Sequence, residues 1–408
     1  MTASRSGVLL LGFLMSVVTY LDRVCISAAA PLITGELGLS QIQMGYVFSA
    51  FGLSYALFEI PAGWWGDQIG QRRVLTRIVA GWSVFTMLTG LAWSYSGLLA
   101  TRFLFGAAEA GAFPNLSRAL AKWFSHERRG FANGVMWTGA RVGGAVAPAA
   151  AALLITRIGW RSTFVVFGGV GLFWCAAFWL WYREGPLVAP AHGPTPWGRI
   201  FTSPTLWKLF GMYFCSAYGF FFYVTWLPTF LMKEHGLTLE RSGFYAALPL
   251  AAGAFGCTAG GALSDWLIRR TGNVKWSRRG IGMGGFLMAA AGFGLAALSR
   301  DALTATLCLA LASGIHDMTV PVAWATVVEV GGPYGGSASG FMNMASSFSG
   351  MLSATSAAWL AATFGTFHAM LAAAAATYFI GALIWLRIDT TQTVTPADSR
   401  VASSRSPS

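Results

Sequence analysis

Charge is scarce in this sequence. Only 10% of its 408 residues are Asp, Glu, Lys or Arg, 55% are hydrophobic, and the mean hydropathy is +0.58. Soluble domains carry roughly 25% charged residues, so a freely soluble protein is excluded. Catalytic signatures are missing as well. The chain contains no H-E-x-x-H, no G-x-S-x-G and no phosphate-binding Gly-Lys loop. Its five histidines (His126, His192, His235, His316 and His368) are scattered without ligand spacing, and its five cysteines form no C-x-x-C pair. An enzyme is therefore not expected, nor a metal or other cofactor.

Apolar chain, by contrast, is abundant. A helix needs about 20 apolar residues to cross a bilayer. Twelve stretches qualify, approximately 7–30, 41–62, 74–93, 97–121, 130–155, 162–182, 206–232, 241–263, 280–299, 302–327, 337–362 and 366–387. The first is too long for a signal-peptide core and no clear small-residue cleavage site follows it, so a retained helix is expected. Little chain remains outside the spans for a separate soluble domain. Cys25, Cys175, Cys215, Cys257 and Cys308 all fall inside spans and read as small packing residues.

A net charge of +12 raises nucleic acid as a partner, but position argues against it. With twelve spans, only Arg157, Arg161, Lys233, Arg241 and Arg300 fall on the side opposite the termini. This positive-inside pattern predicts a multi-pass membrane protein with both termini cytoplasmic. The basic excess then reflects topology in the lipid bilayer, and no nucleic acid is expected.

Residues 183–205 hold five prolines and no long apolar run, splitting the spans six and six. The expected organisation is an N-terminal six-helix bundle (1–182), a central cytoplasmic loop (183–205), a C-terminal six-helix bundle (206–388) and a disordered Ser/Thr-rich tail (389–408). The halves share a signature: GWWGDQIGQRR from Gly63 to Arg73, and GALSDWLIRRTG from Gly261 to Gly272. A repeat in the same orientation in each half is the parallel arrangement of one large transporter class. Gly63 permits close helix approach, Asp67 and Asp265 can hold a neighbouring helix end, and Arg72, Arg73, Arg269 and Arg270 stay in the cytoplasm. These loops resemble the characteristic motif of the major facilitator superfamily, and the likeness covers nearly the whole chain. It implies an all-α membrane protein of twelve transmembrane helices in two pseudo-symmetric six-helix bundles, with the loops gating the cytoplasmic side.

An ionisable side chain deep in a span costs at least about 2.5–3.5 kcal/mol on insertion scales and so marks function. Asp22, Arg23, Arg102, Glu109, Arg141 and Asp317 qualify. Glu59 and Arg118 sit nearer span ends, where snorkelling or capping explains them. Asp22 and Arg23 are adjacent, cannot face one another on a helix, and serve different faces. Arg102 and Glu109 are two turns apart, about 10 Å along one face. Arginine presents a fork matching a carboxylate, and a glutamate in a low-dielectric cavity can load and release a proton. An internal network such as Arg102 with Asp22 is the plainer alternative.

With Tyr20, Tyr55, Phe113, Pro114, Tyr218, the run Thr225 to Pro228, Gly340 and Asn343, these charges resemble the anion:cation symporter family of that superfamily. The resemblance implies proton-coupled import of a small organic anion, such as a hexonate or hexuronate, by alternating access. It makes Asp22 and Glu109 the protonation sites and Arg23 and Arg102 the carboxylate-binding pair. Tyr20 and Tyr55 would hydrogen-bond the substrate, and Tyr218, Trp324 and Asn343 would line the C-terminal half of the cavity. Arg141 is less familiar, and favours either a substrate with a second anionic group or a standing pair with Asp317 or Glu109. His316 and Asp317 mark either an extra proton site or a helix break near Gly314 and Pro321. The partners expected are the anion, protons and lipid, with the chain a monomer. Alternatives are an organic-anion or organophosphate exchanger without proton coupling, an exporter of cationic compounds, and a transporter-like nutrient sensor.

Overall fold

The computed structural model describes residues 4–187, 194–364 and 367–394. Among the described residues there are fifteen α-helices and no strand. The first half contains α1 (Arg5–Leu37), α2 (Gln41–Ile69), α3 (Gln71–Gly90), the pair α4 (Tyr95–Glu109) and α5 (Ala112–Trp123), and α6 (Arg129–Trp181). α6 joins two crossings at Gly159, whose φ of 78° breaks the helical path. A short α7 (Trp197–Thr202) precedes the second half. That half comprises the pair α8 (Pro204–Thr225) and α9 (Leu227–His235), then α10 (Leu239–Thr271) and α11 (Val274–Leu298). The pair α12 (Ala302–Asp317) and α13 (Thr319–Gly331), α14 (Gly335–Phe364) and α15 (His368–Arg387) complete it. Taking each pair as one crossing and α6 as two, the helices make twelve crossings, six per half.

Local signals start these helices. Ser40 and Gln43 form a reciprocal capping box on α2, and Ser94, Thr238 and Asp301 accept from early backbone amides of α4, α10 and α12. Other local signals interrupt them near the middle. Gly111 takes a φ of 77° between α4 and α5, and α9 turns 60° from α8 at Trp226. Pro321 has no amide hydrogen for the Asp317 carbonyl four residues back, and the helix is interrupted at Met318.

The halves touch along two seams at the end of the bundle that carries the basic loops. α2 packs on α14 and α6 on α10. Glycines make both contacts possible: a Cβ at Gly63 would stand 2.3 Å from the Gly336 carbonyl oxygen, and one at Gly261 would stand 2.2 Å from that of Gly130. The repeated aspartates fasten these seams. Asp67 accepts from the amides of Gly336 (2.9 Å) and Ser337 (2.7 Å) and from the Ser337 hydroxyl (2.8 Å), at the start of α14. Asp265 accepts from Gly130 (3.1 Å) and Phe131 (2.7 Å), at the start of α6. Each carboxylate thus caps the first turn of a helix in the opposite half, where orphan amides and the helix dipole favour an anion. Arg118 adds bonds to the Gly332 and Pro333 carbonyls, and Glu329 joins Arg278 to Arg129 across the second seam.

The basic residues of the repeat behave unequally. Arg72 stays within its half on the Trp179 carbonyl, Arg269 crosses to the Glu127 carbonyl, Arg270 lies beside Trp266, and Arg73 is exposed. Beyond α15, Lys275 bonds Asp389 at 2.8 Å and holds its carboxyl well below the usual range, while Val394 bonds the Val330 carbonyl. Of the tail expected to be disordered, residues 395–408 lie outside the described residues, as do 188–193 of the central loop.

Candidate functional site

Between the halves, above the fastened seams, lies a cavity of about 670 Å³. Its walls reach Phe48 in the first turns of α2 and Thr225 at the end of α8, away from the basic end. The cavity is therefore closed toward the basic loops and open toward the other end. An aromatic plate makes its floor: Phe113 stacks on Trp137 (centroids 4.7 Å apart), and Trp137 meets Trp324 at 5.5 Å. Trp324 is fully buried and donates to the Tyr213 hydroxyl at 3.0 Å, so it supports the floor without lining the cavity.

Of the residues expected to bind substrate, Tyr20, Arg23, Tyr55, Arg141 and Asn343 line the cavity. Arg23 is the most exposed of the intramembrane arginines, with 21% of its side chain open, and its Nε bonds Glu109 Oε1 at 2.6 Å. Tyr20, Phe51, Tyr55 and Phe113 all lie within 6 Å of its guanidinium carbon, a cage that stabilises a cation through ring quadrupoles. Glu109 is fully buried behind it at the end of α4, and its second oxygen has no partner. A buried pair holds only while both charges are present, so a proton on Glu109 would free Arg23 for an incoming anion.

The remaining residues are placed elsewhere. Asp22 points toward α3, where Trp82 donates to Oδ2 at 3.0 Å, and its Oδ1 is unpartnered. Arg102 is 2% exposed and outside the lining, with its guanidinium carbon 4.3 Å from the Phe105 ring centroid and two nitrogens without partners. No bond joins Arg102 to Asp22 among the described residues. Tyr218 turns away to Ser356 (2.7 Å) and Met370. Arg141 forms the standing pair, donating to both oxygens of Asp317 at 2.7 and 3.0 Å.

Glu59 escaped the sequence reading. It does not snorkel at a helix end: α2 runs ten residues beyond it to Ile69, and the side chain is fully buried on the seam between halves. Asn343 donates to it at 2.6 Å and to the Tyr55 hydroxyl at 3.3 Å, while Glu59 Oε2 has no partner. The missed signal was helix length, because a span of 41–62 left Glu59 three residues from an end that is not there. Glu59→Gln keeps an acceptor for Asn343 and should melt at or above the native temperature. Glu59→Leu strips that acceptor and should cost about 1–3 kcal/mol. Equal melting temperatures for the two variants in detergent would show that the bond contributes nothing across the seam.

Two helical bundles meeting around a midplane cavity, sealed at one end, define a membrane transporter. Residues 12–354 match the Major Facilitator Superfamily, and the chain belongs to it. It is similar, with 35% identity over 96% of this chain and 95% of the relative, to a probable sulfoacetate transporter of Cupriavidus necator. A hexuronate transporter of Bacillus subtilis is 29% identical over 88% and 89% of the two chains. The crystal structure of a human organic anion transporter shares the fold, with a TM-score of 0.76, 16% identity and coverage of 94% and 99%. The family is one of transporters and not of enzymes, and the two bacterial relatives are anion:cation symporter-like members of it.

Proposed function

We propose that this chain imports a small organic anion together with protons across a bacterial inner membrane, as a monomer with both termini cytoplasmic. The observation that carries this reading is the Arg23–Glu109 pair, a caged cation on the cavity wall held by a carboxylate sealed behind it. The sealed end is then the cytoplasmic one, by the distribution of basic residues. A proton from the open side neutralises Glu109, Arg23 takes the anion, and the neutral loaded cavity can close without stranding charge. Asp22 belongs to the same proton network, buried one residue away on a different face of α1. Arg102 supports the cluster from behind, and Tyr20, Tyr55 and Asn343 offer hydroxyl and amide groups suited to a hydroxylated substrate.

Sugar acids such as a hexonate or hexuronate fit this cavity. A second reading, a compact anion carrying two acidic groups, is favoured by the two cavity arginines and by the name of the 35% identical relative. Uptake into proteoliposomes with an imposed pH gradient tests both. Labelled glucuronate, galactonate, sulfoacetate and a hexose phosphate would be offered with the outside acidic or neutral. Accumulation above equilibrium only with acid outside supports the proposal, and counterflow of the anion with no net uptake under either gradient would make the protein an exchanger.

A further inference from the structure

On α6, which packs against α1, Arg141 is joined to a chain of polar groups that the reading above does not use. Arg141 comes from α6 in the first half and Asp317 from α12 in the second, so their two-point bond crosses the cavity floor. Asp317 Oδ1 also meets His316 Nδ1 at 3.3 Å, and His316 Nε2 meets Ser216 Oγ at 3.0 Å. Arg141, His316 and Ser216 line the cavity. Because the carboxylate can only accept, His316 Nδ1 carries the hydrogen, and in the neutral ring Nε2 then offers its lone pair to the Ser216 hydroxyl.

We infer that Asp317 is a built-in stand-in for an anionic group of the substrate, and that His316 takes a proton when substrate displaces Asp317 from Arg141. This deepens the proposed function and rests on it for the anion. The charges balance. Before binding, Arg141 and Asp317 cancel and His316 is neutral. Afterward Arg141 holds the anion, and the released carboxylate holds an imidazolium whose new proton comes from water in the open cavity and sits on Nε2. The Ser216 hydroxyl then rotates to accept. The other titratable groups around this unit, among the described residues, are Tyr378, with its ring centroid 4.8 Å from that of His316, and Tyr223, Cys257, Cys215, Tyr20 and Tyr213. Phenols and thiols ordinarily titrate near 10 and 8.5, whereas an imidazole is the side chain suited to exchanging a proton near neutrality.

Histidine-labelled protein in nanodiscs tests this by imidazole NMR, with His316→Gln identifying the signal. In Arg141→Gln, Asp317 loses its cation, and the His316 midpoint should rise by at least about one pH unit. Saturating sulfoacetate should move the native protein the same way. Asp317→Asn, which removes the competitor for Arg141 and avoids a stranded carboxylate, should bind sulfoacetate on the order of tenfold more tightly and take up about one proton fewer per anion. An unmoved His316 midpoint in Arg141→Gln overturns the inference while leaving anion transport intact. So does weaker binding, or an unchanged proton count, in Asp317→Asn. If the midpoint moves in Arg141→Gln but sulfoacetate, glucuronate and galactarate bind neither native protein nor Asp317→Asn, displacement is overturned together with the transport reading.

Discussion

Glu109→Gln should bind its anion and exchange it, yet lose all uphill accumulation. The amide cannot be charged, so the variant is fixed in the state that protonation would produce, with Arg23 free. One pH unit across a membrane is worth about 1.4 kcal/mol per proton, or a tenfold concentration ratio. Native proteoliposomes with the outside one unit more acidic should therefore approach that ratio for a singly charged anion carried with one proton, and the variant should stop at a ratio of one. Counterflow separates loss of coupling from loss of binding. Breaking a buried pair typically costs 3–5 kcal/mol, but here the aromatic cage still holds the Arg23 cation, so the stability loss should fall below that range. Full accumulation by Glu109→Gln would remove Glu109 from the proton pathway. Arg23→Gln gives the complementary result, a protein that keeps its fold and loses anion binding.

The second large effect concerns the seams. Asp67→Ala removes three hydrogen bonds between a carboxylate and the first turn of α14, each worth about 1.5–3 kcal/mol when a charged partner is involved. Solvent and neighbouring donors recover part of that, and a net loss of about 3 kcal/mol still changes the ratio of the two access states by a factor of roughly 100. Ser346 lines the cavity, so Ser346→Cys reports access. A membrane-impermeant maleimide should label it readily from the side away from the basic loops. In Asp67→Ala, labelling from that side should fall at least about tenfold and labelling from the basic side should rise. Asp265→Ala should act in the same direction, because both seams must part for the halves to rock. Unchanged sidedness in both variants would mean that the aspartates do not hold the closed end.

Much of this architecture was legible in the chain itself. Twelve apolar stretches, a proline-rich divide and two copies of a Gly–Asp–basic signature follow from the length and polarity a bilayer demands, which are local properties. The deep charges were equally visible, since lipid makes every one of them conspicuous. Helix ends were less so. α2 continues through Trp64 and Trp65 to Ile69, which turned Glu59 from a residue near a terminus into a buried one.

Only the tertiary structure decided which charge meets which. Arg102 and Glu109 share a helix, yet Glu109 pairs with Arg23, 86 residues away. Glu109 closes α4 just before the break at Gly111, where α1 brings Arg23 alongside. Asp22, Arg23's neighbour, went to Trp82 on α3, and nothing in a sequence announces an indole as a carboxylate's partner. Arg141 could have served a ligand or a carboxylate, and the meeting of α6 with α12 across the two halves gave it Asp317. Periodicity and polarity place residues along a helix and around it. Pairing depends on how helices from separate halves turn toward each other, and that is a property of the packed bundle.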